Sequence, residues 1–271
     1  MKDLAVIMSI YYEDRVQFVR ESVESILSQT LTDFDYYIVF DGPVSGEIEN
    51  YFYTLKDHRI ILNRLETKKG LAVALNYLLE IVFKNPAYQF IARMDADDIS
   101  LPTRFEKQHN FLLENHDISC VGSWYYEIDE LGKHLSDIKL PVEHEALKRR
   151  YYSRTPFAHP SVMYNRNLIE IAGFYPTNTI LMEDNVLWGK ALKAGLRFAN
   201  IPEYLFKFRI DNNFFKRRSG INYGWNYIKT RLGINRFLNA PLYFNFISVG
   251  LGISRMLPSF VLKVLYQLFR K

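Results

Sequence analysis

Apolar positions along the chain alternate between two periods. Residues 4–12 (LAVIMSIYY) form a short, nearly continuous apolar run with β-branched content, which predicts a strand. Val16, Val19, Val23, Ile26 and Leu27 then recur at helical spacing. The strand pattern returns at 36–43 (YYIVFDGP), where Gly42 and Pro43 stop it, and again at 59–65 (RIILNRL). A strongly apolar helix is predicted over 70–83, opening at Gly70. A fourth strand follows at 88–95 (YQFIARMD), and Pro102 is expected to start the helix PTRFEKQHNFLLEN. Strands alternating with helices predict βαβ units and a mainly parallel sheet, a Rossmann-like α/β architecture flanked by helices.

Beyond residue 118 the pattern changes. ISCVGSWYYEIDELGKHL reads as a strand, a turn at DELGK and a return strand, and HEALKRRYY reads as a helix. FAHPSVMYNR reads as a loop into a short strand, followed by a helix through Ile171. LMEDNVLWGKALKAG predicts a helix beginning near Glu183 and closed by Gly195. With no linker and no internal repeat, residues 1–210 read as one domain and 211–271 as a helical extension.

Composition narrows the picture. The chain has 271 residues, enough for one large α/β domain with an appendage. The one cysteine, Cys120, excludes an intrachain disulfide and fits a reducing compartment. Within ISCVGSW it reads as a small buried thiol rather than a nucleophile. The N-terminal apolar run is expected to be a strand, not a signal peptide, and no window offers the roughly 18 uninterrupted apolar residues of a spanning helix. The net charge of +4 conceals an asymmetry: residues 1–211 carry 24 Lys and Arg against all 30 Asp and Glu, a net −6, whereas residues 212–271 carry ten basic residues and no acid, a net +10.

The stretch QFIARMDADDISLPTR places Asp95, Asp97 and Asp98 directly after an apolar run. In open α/β sheets ligands bind outside the carboxyl ends of the strands, and Asp41 falls at such an end too. Carboxylates converging on one rim repel unless a cation lies among them. Oxygen-only ligands suit Mg2+ or Mn2+, held by one or two carboxylates and completed by a diphosphate. The competing reading is a solvated acidic turn in which Asp98 or Ser100 caps the helix at Pro102. Glu183 and Asp184 likewise have two readings: complements to a helix dipole, or a carboxylate base that deprotonates a substrate hydroxyl. Trp188 could wall a sugar ring or sit in the core. His159 fits a hydrogen-bonded structural role or a contact to substrate.

Taken in order, the first strand with Tyr11, VFDG, KKGLAVALN, RMDADDISLPTRFEKQ, HPSVMYNR with GFY, and MEDNVLW resemble an inverting family 2 glycosyltransferase of the GT-A fold. VFDGPVSGEI and RMDADDISLPTR are similar to bacterial enzymes of exopolysaccharide, O-antigen or capsule assembly, of the amylovoran biosynthesis type. The resemblance implies that Asp41 contacts the base or ribose of a nucleotide sugar, with Tyr11, Asn76 and Arg93 around the donor. It implies that Asp95 lies near the ribose and donor sugar, and that Asp97, with Asp95, holds Mn2+ or Mg2+ against the diphosphate. Asp184 would be the base, with Glu183 beside it and His159 and Trp188 on the acceptor side. The chain departs from the pattern at SIYY (9–12), at Phe40 before Asp41, and at Leu75 before Asn76, which leaves the donor's base open.

Between the basic residues of the extension lie PLYFNFISVGLGI and PSFVLKVLYQLFRK. Lys263, Gln267 and Arg270 share one helical face at i, i+4 and i+7. That pattern suits a helix lying in a membrane interface against anionic headgroups, or one packed on the domain with its basic stripe in water. Nucleic acid is not the expected partner, because the main domain is acidic. The implied setting is cytoplasmic, peripheral on the inner face of the plasma membrane, with a saccharide acceptor such as one carried on a polyprenyl diphosphate. The competing functions are a degenerate transferase domain that binds carbohydrate or assembles a complex, and a sugar nucleotidyltransferase. SIYYEDR lacks the glycine-rich phosphate loop that the last would need.

Overall fold

Strand β1, Leu4–Ile10, is buried along almost its whole length. A strand covered on both faces needs apolar residues at successive positions, which is why LAVIMSI does not alternate with polar residues. Its side chains still alternate in direction. Leu4, Val6, Met8 and Ile10 pack with Val19 and Val23 of α1 (Val16–Leu27), while Ala5 and Ile7 pack with Leu75, Leu78 and Leu79 of α3 (Leu71–Val82). Burying each such Leu, Ile or Val stabilises the fold by about 1.5–3 kcal/mol before the entropy of ordering is set against it.

The computed structural model describes residues 2–179, 181–211 and 213–269. Parallel neighbours surround β1: β2 (Phe34–Phe40), β3 (Ile60–Arg64) and β4 (Phe90–Asp95). Helix α2, Gly46–Thr54, connects β2 to β3 and was not legible in the hydrophobic pattern. Two-residue β5 (Ile99–Ser100) and α4 (Arg104–Glu114) follow β4. Then come β6 (Ile118–Ile128), β7 (His134–Ile138), α5 (His144–Tyr151), a 3-10 turn at His159–Ser161, β8 (Met163–Asn165), α6 (Arg166–Ala172) and α7 (Glu183–Lys193). Strand β9 spans Arg197–Arg209. The sheet order is β3-β2-β1-β4-β8-β6-β9-β5, with β7 paired to β6. Strand β8 enters antiparallel between β4 and β6, and β9 runs parallel to β6.

The parallel register explains the site. Ser9 pairs with Val39 and with Asp95, and Ile10 pairs with Phe40. Tyr11, Asp41 and Asp95 therefore leave the sheet on one rim. The turn after β2 depends on Gly42, whose φ of +82° suits glycine and whose added Cβ would stand 2.6 Å from the Lys68 amide nitrogen. Gly42→Ala is expected to cost about 2 kcal/mol or more in urea unfolding, because both strain and overlap oppose it. A change within 0.5 kcal/mol, the usual range for a neutral surface substitution, would contradict this.

Helix α4 begins at Arg104, two residues after Pro102, and its N-cap Thr103 makes no side-chain cap bond. Neither Asp98 nor Ser100 caps it. The acceptor comes from just past the end of α1, where Gln29 Oε1 takes the Phe105 amide at 3.0 Å. Four further helices follow β9: α8 (Asn213–Arg217), α9 (Ile221–Phe237), α10 (Tyr243–Met256) and α11 (Ser259–Phe269). Among the described residues no helix is long and apolar enough to cross a membrane. Of the basic stripe expected on the last helix, Lys263 is exposed, while Arg270 and the side chain of Gln267 lie outside the described residues.

Candidate active site

Asp95, Asp97 and Asp98 bring one carboxylate oxygen each within 4.8 Å of one another. Asp95 pairs with Arg93 Nη2, and its carbonyl accepts from Ser22 Oγ at 2.7 Å. Asp98 is buried, and its Oδ1 accepts the Arg209 amide at 2.7 Å while its Oδ2 has no hydrogen-bond partner. Burial first, and then Asp95, raise the Asp97 pKa to about 6. Burial first, then Asp97 and Asp95, hold Asp98 well above the usual carboxylate range. Desolvation, with like charges confined together, accounts for both directions.

The structure adds groups that the sequence did not reveal. Asp14 stands beside this cluster, its Oδ2 accepting the Tyr11 amide at 2.8 Å, and burial pushes its pKa well up, with Asp97 and Asp95 adding to the rise. Arg209, at the end of β9, donates from Nε to the Asp97 carbonyl at 2.7 Å and from Nη2 to Glu21 at 2.5 Å. Arg217, on α8, reaches Asp211 at 3.2 Å and lies close enough to Asp97 to lower its pKa. Strand β9 carried no clear alternation, so the cations that brace the cluster had no predicted element to sit on.

Glu183 and Asp184 open α7, whose N-cap Met182 offers no side-chain bond. Burial, and then Asp184, raise Glu183 to about 6. Burial also raises Asp184, against the opposing effect of its hydrogen bonds with Asn185 and of Arg231 and Arg93. Asn185 Nδ2 donates to Asp184 Oδ1 at 2.8 Å, and Asn185 is itself held by Arg231, which also donates to the Tyr151 carbonyl at 2.8 Å. Leu181, with φ +53°, precedes this turn in a conformation that non-glycine residues adopt at a cost.

Arg93 joins the two acidic elements. It is 1% exposed, its Nε and Nη1 lack hydrogen-bond partners, and its charge acts on Asp95, Asp98, Glu183, Asp184 and His159. A buried guanidinium beside four carboxylates offsets part of their mutual repulsion.

Other expected site residues take structural positions. Both Asp41 oxygens accept backbone amides, Lys69 at 2.6 Å and Gly70 at 2.8 Å, so Asp41 locks the loop entering α3 against β2. Both ends of the Asn76 amide pair with the Tyr175 backbone, at 2.8 and 3.0 Å, which fixes the Tyr175 loop. Trp188 is 0% exposed and packs edge-on against Phe157 and Phe198. That is the core position, one of the two readings that its sequence allowed. His159 Nε2 meets the Tyr175 hydroxyl at 2.9 Å, and burial, with Arg93 adding to it, depresses its pKa well below the usual histidine range. Tyr11 stands at the rim with its hydroxyl on Glu13 at 3.2 Å and Lys68 over its ring. Cys120 is a buried thiol, as its apolar setting implied.

The raised Glu183 pKa carries a stability prediction. The folded state holds this proton more tightly than the unfolded chain, so stability falls as pH rises from about 4.5 through about 6. Glu183→Gln is expected to stabilise the protein by about 2 kcal/mol at pH 8 and by almost nothing at pH 4. Urea midpoints at both pH values measure this, and an equal shift at both would contradict it.

A mainly parallel, Rossmann-like sheet with this aspartate rim, facing an acidic helix start, defines a glycosyltransferase of the GT-A fold. The family model for glycosyl transferase family 2 matches residues 5–172, and the chain belongs to that family. It is 30% identical over 277 residues to the amylovoran biosynthesis glycosyltransferase AmsE of Erwinia amylovora, covering 98% of this chain and 99% of that one. It is 31% identical over 228 residues to the UDP-Gal:alpha-D-GlcNAc-diphosphoundecaprenol beta-1,3-galactosyltransferase of Escherichia coli, covering 84% and 81%. Its fold resembles that of the mannosyltransferase PcManGT from Pyrobaculum calidifontis in complex with GDP-Man and Mn2+, with TM-score 0.65, 15% identity, and coverage of 97% of this chain and 79% of that one.

Proposed function

We propose that residues 1–210 are an inverting, divalent-metal-dependent transferase domain. It moves a sugar from a nucleotide sugar, UDP-linked by analogy with the galactosyltransferase relative, to a hydroxyl of a lipid-linked saccharide. Residues 211–271 are the extension that sets this domain against a cytoplasmic, anionic membrane surface. The observation that carries the reading is the cluster of three aspartates within 4.8 Å, joined through Arg93 to Glu183 and Asp184.

The residues present fit a hard cation. The donors are all carboxylate oxygens, Asp98 Oδ2 is buried and unpartnered, and mutual repulsion of Asp95 and Asp97 is relieved by a positive charge between them. Asp97 and Asp95 would hold Mn2+ or Mg2+, which supplies charge neutralisation for a leaving diphosphate. The chain's own groups do the rest. Asp184 accepts the proton of the acceptor hydroxyl as its oxygen attacks the anomeric carbon. The bond from that carbon to the phosphate oxygen breaks on the opposite face, and the nucleoside diphosphate leaves with the bonding pair. One displacement inverts the configuration and needs one carboxylate base. The Asn185–Arg231 pair orients that base, and Arg93 adds positive charge between base and donor.

The test is to incubate the protein with a panel of nucleotide sugars and Mn2+ or Mg2+, with a lipid-linked saccharide acceptor, and to measure nucleoside diphosphate release. At least one donor is expected to turn over. Absence of nucleotide-sugar binding under every metal condition would sink the enzyme reading and leave the carbohydrate-binding alternative.

A further inference from the structure

Helix α10 is amphipathic in the wrong sense for water. Its buried face is Phe244 and Ser248, which meet Tyr152, and Gly252, which meets α9, while Tyr243, Phe246, Ile247 and Ile253 point outward. At Gly252 the two helices nearly touch: a Cβ there would lie 2.2 Å from Ile228 Cγ1, and one on Gly224 would lie 2.7 Å from the Gly252 carbonyl. The outer face carries large apolar residues, with Phe246 79% exposed. On α9, Trp225 is 64% exposed, and Lys229 and Arg236 share its face at i+4 and i+11. Eleven of the nineteen exposed large apolar side chains among the described residues lie after Gly220. Exposed apolar area this concentrated marks a surface that something covers.

We propose that the outer faces of α9 and α10 bed into the headgroup boundary of an anionic bilayer, with Trp225, Tyr243, Phe246 and Ile247 inserted and Lys229 and Arg236 on the headgroups. This rests on the membrane reading above and moves the contact from the basic stripe of α11, where the sequence suggested it, to the α9–α10 hairpin. Charge selects the occupant. No acidic residue follows Asp211, so a two-fold interface between copies on this face would oppose like charges, whereas anionic lipid complements them. An aromatic and aliphatic face bearing Lys and Arg is the pattern of an interfacial helix. The placement also serves the reaction. The opposite side of α9 supplies Arg231 to Asn185, beside Asp184, so the element on the lipid is the one that braces the base.

The experiment floats the full chain with neutral phosphatidylcholine vesicles and with vesicles of phosphatidylcholine and phosphatidylglycerol. Wild type is expected to float with the anionic vesicles and to lose this at high salt. The double variant Phe246→Asp, Ile247→Asp is expected to partition at least about tenfold less, as two inserted apolar side chains are lost. Lys229→Glu with Arg236→Glu should also release it. Donor binding and circular dichroism of the variants check that the domain stays folded, since these side chains already face outward. Flotation of the Phe246, Ile247 variant at the wild-type level overturns the proposal. If only Lys263→Glu releases the protein, the membrane reading survives and this face is wrong. If wild type floats with neither vesicle, the membrane reading itself fails. A wild-type dimer in sedimentation that the double variant turns into monomer assigns the face to self-association and overturns the proposal.

Discussion

Asp97→Ala is expected to lower nucleoside diphosphate release by about three orders of magnitude, the scale of losing several kcal/mol of charge stabilisation on a leaving diphosphate. Burial first, and then Asp95, raise the Asp97 pKa to about 6, so its charge is poorly tolerated without a cation. Removing it relieves the repulsion, and the fold should be no less stable. The loss should therefore appear as failed metal-dependent donor binding in calorimetry, with an unchanged or raised Tm. A variant that keeps wild-type turnover, or one that loses activity only because it unfolds, would contradict the assignment.

Asp184→Asn should lower kcat by about a thousandfold while leaving donor affinity within about twofold, because the proton acceptor is lost and the donor cluster is not. An asparagine retains the oxygen that accepts from Asn185 Nδ2 at 2.8 Å, so the turn should keep its shape. The pH profile separates this role from a structural one. The base must be ionised, and burial raises its pKa, so wild-type kcat should fall on acidification along a limb lying above the ordinary aspartate range. That limb should vanish in the variant. If Glu183→Gln abolishes the limb and Asp184→Asn leaves it, the base is Glu183, which is also raised, to about 6.

The departures from the family pattern acquire physical meaning in the structure. Leu75 packs in the core below α3, and its neighbour Asn76 holds the Tyr175 backbone. Phe40 packs against Phe52, which leaves Asp41 as the acidic residue of that strand end. The residues that surround the aspartate cluster come from far along the chain: Asp14 after β1, Arg209 from β9, and Arg217 from α8. Glycosidase chemistry, with two carboxyl groups flanking a bond, fits this concentration of acid poorly.

What the sequence determined by itself was local and periodic. Apolar runs located β1 to β4, helical spacing located α1 and α3, and Gly195 closed α7, because a strand buried on both faces and a helix buried on one each restrict composition along the chain. Placement of Asp95 and Asp97 at a strand end was readable for the same reason. Only the tertiary structure decided which neighbours those residues meet. The thirteen residues of β9 gave no pattern because that strand lies between β6 and the short β5 and mixes environments along its length. Trp188 went to the core and Arg93 to the centre of the site, although the sequence allowed either place for each. Burial and long-range pairing are set by packing between segments distant in the chain, and residue type alone carries no record of which segments meet.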